Sequence, residues 1–281
     1  MLGKLLKHEF VATGRIMLPV LAAVTGITLL ANLMLRLGDL VADRFNLLSL
    51  LMILVTASAV IAIIAAEIMT IVLMVLRFYR NLLGPEGYLM HSLPVSVHEL
   101  VWSKLIVSCV WILVTNLLIC LLVLLSVIFI GKMALGDFFR GFPSWQEISD
   151  ALLALGISRG RIVRLIIELI LLVLATMLST CLHFYAAMSL GHIFSKDKIL
   201  LSVVFFVGIS VAFSVIQTVL FAGLMFSPGT FLQTITEDTS AAGTLRVMSI
   251  AYDGGLVLTL LKAALLYVAT FLGLKKGLNL A

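Results

Sequence analysis

Charged side chains lie inside long apolar runs at three places in this sequence of 281 residues. A charge at the centre of a membrane helix costs about 2.5–3.5 kcal/mol on insertion scales, so such residues mark ion pairs, ion sites or a translocation path. Glu168 follows Arg164 by four residues, and this spacing predicts an ion pair on one helix face. Glu67 and Lys262 have no oppositely charged residue within one helical turn.

Glu67 and Lys262 lie at similar predicted depths in the membrane. Glu67 precedes Leu76 by nine residues and Lys262 precedes Leu274 by twelve, where these two leucines end their apolar runs. At about 1.5 Å per residue the two depths differ by about 5 Å, within reach of two long side chains. We expect the pair to join the second and sixth spans, either holding the bundle together or lining a translocation path. Further polar contacts between helices are expected from Asn116, His183 and Gln217.

The sequence patterns of nucleotide-binding and metal-hydrolase sites do not occur. There is no GxxxxGK[ST] phosphate loop and no HExxH metal helix, and residues 156–160 match GxSxG without the preceding strand that a nucleophile turn requires. The three cysteines show no CxxC spacing, and Cys109 and Cys120 would lie about 16 Å apart on one helix. We therefore predict no catalytic residue, no metal site and no cofactor on this chain.

The composition places the chain in the bilayer. Hydrophobic residues make up 62% of it and charged residues 12%, with a mean hydropathy of +1.23, whereas soluble domains are about half apolar and about a quarter charged. Strand alternation is missing, so the predicted fold class is all-α, a polytopic membrane protein forming a single transmembrane domain over residues 1–281. Six runs are long enough to span: 16–35, 47–76, 105–130, 165–190, 199–226 and 256–274.

Three segments outside these runs carry their own signals. Residues 1–15 place leucines and Phe10 on one helical face, which predicts an amphipathic helix lying in the membrane interface before the first span. Ser144 and Glu147 have the spacing of a capping box, which predicts a short helix that Gly156 ends. Residues 227–255 are rich in Gly, Ser and Thr and are predicted to form a loop.

Basic residues near the span ends set the predicted orientation. With the N-terminus inside, the cytoplasmic side holds ten: Lys4, Lys7, Arg15, Arg77, Arg80, Lys104, Lys196, Lys198, Lys275 and Lys276. The opposite side holds eight: Arg36, Arg44, Lys132, Arg140, Arg159, Arg161, Arg164 and Arg246. We expect both termini in the cytoplasm, with the basic face against anionic lipid.

The connection between the second and third spans is longer than a simple turn requires. Gly84 and Pro85 end the second helix, and Pro94 disfavours helix at the residue before it. Ser96 and Glu99 have the spacing of another capping box, which begins the next helix. Apolar and aromatic side chains lie between these two breaks, which is typical of a docking surface; an interfacial hairpin packed on its own helices is the alternative.

The pattern "EGYL...LPVS...L..SKL" in this connection resembles the ABC-2 type permeases of bacterial ABC transporters. The opening "MLGKLLKHEFVATGRI" and the plan of six spans are similar to that family as well. The resemblance implies a coupling helix in segment 84–98 that fits a cleft on a separate P-loop ATPase subunit. On this chain that role falls to Glu86, Gly87, Tyr88, Leu89, Pro94 and Ser96.

The resemblance also implies the rest of the assembly. A second permease copy or a paralogue would complete the membrane part, ATP and Mg would bind on the partner ATPase, and the complex would export its substrate from the bacterial cytoplasm. Membrane lipid is the other expected contact, and no nucleic acid is expected. One alternative is a secondary carrier without an ATPase, with Glu67 as its ion site. Another is a membrane-embedded enzyme, which would need a paired acid or a metal cluster.

Overall fold

The chain folds into seven α-helices and one π-helical turn within the residues that the structure, a computed structural model, describes. Those residues are 2–38, 46–84, 87, 95–131, 140–141, 143–154, 158–194, 197–226 and 241–276. We number the helices α1 (Leu2–Gly38), α2 (Asn46–Phe78), α3 (Val97–Ile130), α4 (Trp145–Ala154), α5 (Arg159–Gly191), α6 (Lys198–Phe226) and α7 (Ala241–Lys276). The π-helical turn, Tyr79–Leu83, continues α2.

Six of these helices are long and apolar enough to cross a membrane: α1, α2, α3, α5, α6 and α7. Each contains one of the six predicted spans nearly in full, and the described residues include no strand. The prediction of an all-α, multi-pass membrane protein is therefore confirmed. Large apolar side chains remain exposed along all six helices, as expected where hydrocarbon covers them.

α1 differs from the prediction because it has no break between residues 15 and 16. It runs as a single helix of 37 residues, about 55 Å long at 1.5 Å per residue. One buried stripe at helical spacing continues through both predicted parts, which explains the continuity. Its members are Glu9, Thr13, Met17, Leu21, Val24 and Thr28. Residues 2–15 are therefore the first part of α1 and not a separate helix, and their place in the membrane interface stays a prediction.

α7 corrects the prediction for residues 227–255. The helix begins at Ala241, so the second half of the predicted loop is helical. Gly254 and Gly255 lie within it, and an interior glycine costs a helix only about 1 kcal/mol relative to alanine. Asp253 adds an ion pair with Arg164 on α5. Tertiary packing thus outweighs the local glycine signal.

The capping box at α4 is confirmed in both directions. The backbone N–H of Ser144 donates to Glu147 Oε2 at 2.7 Å, and the backbone N–H of Glu147 donates to Ser144 Oγ at 3.2 Å. The helix then runs for ten residues to Ala154. Gly156, the predicted end, lies outside the described residues.

The chain divides into two compact units. The first unit comprises Met1–Arg77 and Glu99–Phe142, and thus contains α1, nearly all of α2, and α3 from its third residue. Its apolar core packs Val24 of α1, Ala66 of α2 and Leu122 of α3. Beside this core, the hydroxyls of Thr70 and Thr115 lie 3.1 Å apart, a hydrogen bond that joins α2 to α3.

The second unit comprises Phe78–His98 and Pro143–Ala281. Within it α5 packs closely against both α6 and α7. Small residues permit this approach: a Cβ built on Gly273 of α7 would lie 2.9 Å from Ser189 Cβ of α5. Real Cβ atoms essentially never come that close, so the two helices meet at a position where only glycine fits.

We expect Gly273→Ala to destabilise the second unit, because the added methyl group would push α7 away from α5. Overpacking of this kind costs about 1–3 kcal/mol. The measurement is the melting temperature of the purified chain in detergent. Gly208→Ala on α6 is the matched control, since nothing lies within 4 Å of a Cβ built there. Equal melting temperatures for the two variants would contradict the close α5–α7 contact.

Candidate functional site

The predicted coupling segment, 84–98, is described only at its two ends. Gly84, Gly87 and residues 95–98 are described, whereas Glu86, Tyr88, Leu89 and Pro94 lie outside the described residues. The helix ends at Leu83, at the break predicted from Gly84 and Pro85. The N–H of Gly84 donates to the carbonyl of Tyr79 at 2.7 Å, and the N–H of Gly87 donates to the carbonyl of Gly84 at 2.8 Å.

The arm that leads into this segment is anchored on α5 of the second unit. The ring of Phe78 stacks on the ring of Tyr185 with centroids 3.9 Å apart, and both side chains are almost completely buried. The next residue, Tyr79, meets the ring of His192 edge-on at 5.2 Å. Leu82 and Leu83 of the π-helical turn are buried as well. The end of α2 is therefore held firmly against α5.

The arm that leaves the segment is anchored on α7 of the same unit. α3 begins at Val97, so Ser96 occupies the N-cap position predicted for it. His98 Nδ1 lies 2.6 Å from the hydroxyl of Tyr267, and its ring stacks on Phe271 with centroids 4.3 Å apart. Both ends of the 84–98 segment are thus fixed by aromatic contacts in the second unit.

A buried ion cluster lies in the first unit, close in sequence to both arms. Lys104 of α3 pairs with Glu9 of α1, and the two residues are only 4% and 7% exposed. Arg77 of α2 adds a longer contact, with Nη1 3.9 Å from Glu9 Oε2. Trp111 Nε1 donates to Thr13 Oγ1 at 2.8 Å one turn further along α1. The cluster joins α1, α2 and α3 through charge.

This cluster was not predicted from the sequence. Lys104 and Arg77 were included only among the basic residues that set the orientation, and no role was predicted for Glu9. The available signal was that Glu9 continues the apolar stripe of α1 at helical spacing, which places a carboxylate on a face that has to be buried. A carboxylate on such a face needs a cation from another helix.

The predicted Arg164–Glu168 ion pair is present at the other end of α5. Arg164 also reaches α7, where its Nη2 lies 2.9 Å from Asp253 Oδ2. Glu168 is buried, and its second oxygen, Oε2, has no hydrogen-bond partner among the described residues. Arg164 therefore links α5 to α7. This link was not predicted, because Asp253 lies in residues 227–255, which were predicted to form a loop.

The two remaining intramembrane charges have different surroundings. Glu67 is half-buried on α2, and its Oε2 is buried with no hydrogen-bond partner among the described residues. Lys262 is half-buried on α7, with its Nζ 5.3 Å from the centroid of the Phe213 ring on α6. The pairing of Glu67 with Lys262 stays a prediction.

The expected polar contacts between helices are realised at only one of the three positions. His183 Nε2 of α5 lies 3.2 Å from the carbonyl of Phe206 and 3.1 Å from Ser210 Oγ on α6. Asn116 instead donates to the carbonyl of Ile112 in its own helix at 2.9 Å. Gln217 is exposed on α6. His183 thus provides a polar contact between α5 and α6.

We expect Lys104→Met to destabilise the first unit by about 3–5 kcal/mol, because it leaves the buried Glu9 carboxylate without its close cation. The exchanged pair Glu9→Lys with Lys104→Glu should recover part of the loss. Melting temperatures in detergent measure both effects. Lys4→Met on the exposed face of α1 is the control. Equal effects of Lys4→Met and Lys104→Met would contradict a buried ion pair.

His192, just beyond the end of α5, is expected to make the contact between Tyr79 and this end of α5 sensitive to acid. Burial lowers the pKa of this imidazole, and the nearby positive charge of Lys198 lowers the pKa further, although the hydrogen bond of Nδ1 to the Met188 carbonyl opposes both. Because the folded-state pKa lies below the unfolded value of about 6.5, the stability contributed by neutral His192 is complete above that pH and is lost as the pH falls below it.

The measurement is the melting temperature in detergent between about pH 7.5 and pH 5. We expect it to fall with acidification, and to fall less steeply in His192→Gln, which cannot take up the proton. The same slope in both proteins would exclude His192 as a contributor.

Comparison with known proteins finds no family model, no curated protein and no solved structure that matches this chain. Among the described residues, no group of three His, Cys, Asp or Glu side chains could hold a metal ion. The described geometry consists of two anchored arms beside segment 84–98, one buried ion cluster, and two intramembrane charges.

Proposed function

We propose that this chain is the membrane-spanning subunit of an ABC transporter of the ABC-2 type, an exporter driven by a separate P-loop ATPase. The observation that carries the proposal is the firm anchoring of both ends of segment 84–98, by Phe78 on Tyr185 and by His98 on Tyr267. A connection with no partner needs no such anchors. A segment that receives a mechanical load does, because otherwise the load would only bend the connection.

The anchors suggest how the load travels. Closure of the ATPase subunits would displace the segment, and the ring contacts would pass this displacement to α5 and α7. The segment is also continuous with α2 and α3, which carry Arg77 and Lys104 of the ion cluster in the first unit. The bundle would then alternate between inward-open and outward-open arrangements, with no bond chemistry on this chain.

The remaining parts of the assembly follow from the same proposal. ATP and Mg bind on the ATPase subunit, and a second copy or a paralogue of this chain completes the membrane part. The chain lies in the bacterial cytoplasmic membrane with both termini in the cytoplasm. Support comes from the six membrane-length helices and from the ten basic residues on the proposed cytoplasmic side against eight on the other.

A secondary carrier without an ATPase is the second candidate. It is favoured by the buried oxygen Oε2 of Glu67, which has no hydrogen-bond partner among the described residues. A carboxylate in such a place is suited to taking up and releasing a proton. In this case transport would follow the proton gradient, and Glu67→Gln would abolish it.

We expect a tagged chain purified from a bacterial membrane to bring a P-loop ATPase with it. The double variant Tyr88→Ala with Leu89→Ala should lose this ATPase, because both side chains belong to the proposed docking surface. Trp145→Ala is the matched control, since it removes an aromatic side chain that is 60% exposed on α4, outside the segment. Quantitative mass spectrometry of the purified complex gives the ratio of ATPase to permease.

Retention of the ATPase by the double variant would contradict docking through segment 84–98. Transport by the chain without any ATPase, stopped by a protonophore and by Glu67→Gln, would overturn the proposal in favour of the carrier.

A further inference from the structure

Lys262 lies at the middle of α7, the helix that runs from Ala241 to Lys276. Among the described residues of the second unit Lys262 has no ion pair with a carboxylate, and Asp253 and Glu168 pair with Arg164 instead. Its Nζ lies over the Phe213 ring of α6 at 5.3 Å. A cation–π contact recovers less than the insertion cost of a lysine at the centre of a membrane helix. The charge of the Lys262 ammonium group is therefore only partly compensated, and an anion could bind to it.

Polar groups of α6 lie on the same side as Phe213. Ser210, Ser214 and Gln217 follow each other at helical spacing on that side, and Ser214 and Gln217 are exposed. One face of α6 is apolar and exposed at Val203, Val207, Val211 and Val215, and no side chain in the most apolar stretch of the helix is buried. The hydrogen-bonding side chains of Ser214 and Gln217, on the same side of α6 as Phe213, are thus continuous with a long, exposed apolar face of α6.

His183 fixes one edge of this surface. The hydroxyl of Ser210 donates to the carbonyl of Phe206 at 2.8 Å, so its oxygen is free to accept from His183 Nε2 at 3.1 Å. The Phe206 carbonyl, 3.2 Å away, can only accept as well. Nε2 therefore carries the proton, and α5 and α6 are locked together next to Phe213.

We propose that Lys262, with Phe213, Ser214 and Gln217, forms a binding site for the anionic head group of a bilayer-resident amphiphile. The ammonium group pairs with a carboxylate or phosphate oxygen, the amide of Gln217 donates to another oxygen, and the alkyl chain lies along the exposed apolar face of α6. Charge complementarity at Lys262 and the exposed apolar face beside it point to this occupant. The proposal requires only that the chain spans a membrane and does not depend on an ATPase partner.

The test uses the full chain in nanodiscs of neutral phosphatidylcholine and two photoreactive probes. One is an alkyl phosphate with a diazirine in its chain, which is anionic at about pH 7.5; the other is the alkyl alcohol with the same diazirine. Labelling of α6 peptides is measured by mass spectrometry. We expect the phosphate to label α6 at least about fivefold more than the alcohol, as one charge-assisted contact would give.

Matched variants assign this preference to Lys262. Lys262→Gln should reduce phosphate labelling to the level of the alcohol, and Lys262→Arg should retain the excess, which separates loss of charge from loss of folding. Lys275→Gln is the control, because Lys275 lies on the same helix over a ring in a similar way, 5.8 Å from the centroid of Phe271. It should leave the preference unchanged.

Three results would overturn the proposal. The first is equal labelling by both probes in the wild-type chain. The second is an excess that Lys262→Gln leaves intact or that Lys275→Gln removes to the same extent. The third is an excess that appears only in Glu67→Gln, which would mean that Glu67 neutralises Lys262 in the native protein.

Discussion

Hydrocarbon supplies no hydrogen bonds, so every polar group of a membrane-spanning chain has to find its partner inside the protein. The six long helices satisfy this constraint for the backbone. Several threonine hydroxyls satisfy it locally by donating to the carbonyl four residues earlier, as Thr28 does to Val24 at 2.8 Å and Thr270 to Leu266 at 2.8 Å. Charged groups cannot be satisfied in this way and need partners on other helices, such as Lys104 for Glu9.

The same constraint explains why the departure from helix at Gly84 is so firmly supported. Breaking a helix releases backbone groups, which belong in the polar zone at the membrane edge or in contact with protein. Here the break follows a π-helical turn whose last residues are buried, and ring contacts hold Phe78 and His98 on either side of it. In the proposed function this arrangement suits a segment that carries load, because an ordinary connection between two helices needs only a few residues.

Polar groups that stay unsatisfied are the most informative ones. Within the described residues, the buried side-chain atoms with no hydrogen-bond partner are Asn32 Nδ2, Glu67 Oε2 and Glu168 Oε2. Glu168 still has Arg164 on its other oxygen, so its role is structural. Glu67 and Lys262 lack comparable support, and an ionisable side chain in hydrocarbon without such support marks a candidate functional site. The proposed anion site at Lys262 and the carrier alternative at Glu67 both rest on this reasoning.

Local patterns in the sequence determined those features whose interactions span a few residues. The six apolar runs, the Ser144–Glu147 capping box, the Arg164–Glu168 spacing and the break at Gly84 were all predictable, because a helix fixes distances over three or four residues. Only tertiary structure decided the rest. Glu9 and Lys104 are 95 positions apart, and Phe78 and Tyr185 more than a hundred, so packing and not spacing brings them together.

The two wrong boundaries have the same origin. Residues 2–15 form one helix with the first span because both share one buried stripe, and residues 241–255 become helical within α7, where Asp253 meets Arg164 on α5. In both places the local signal, amphipathicity in one and glycine content in the other, was weaker than the contacts of a neighbouring helix. A contact between distant segments depends on how whole helices pack, and one sequence read residue by residue does not contain that geometry.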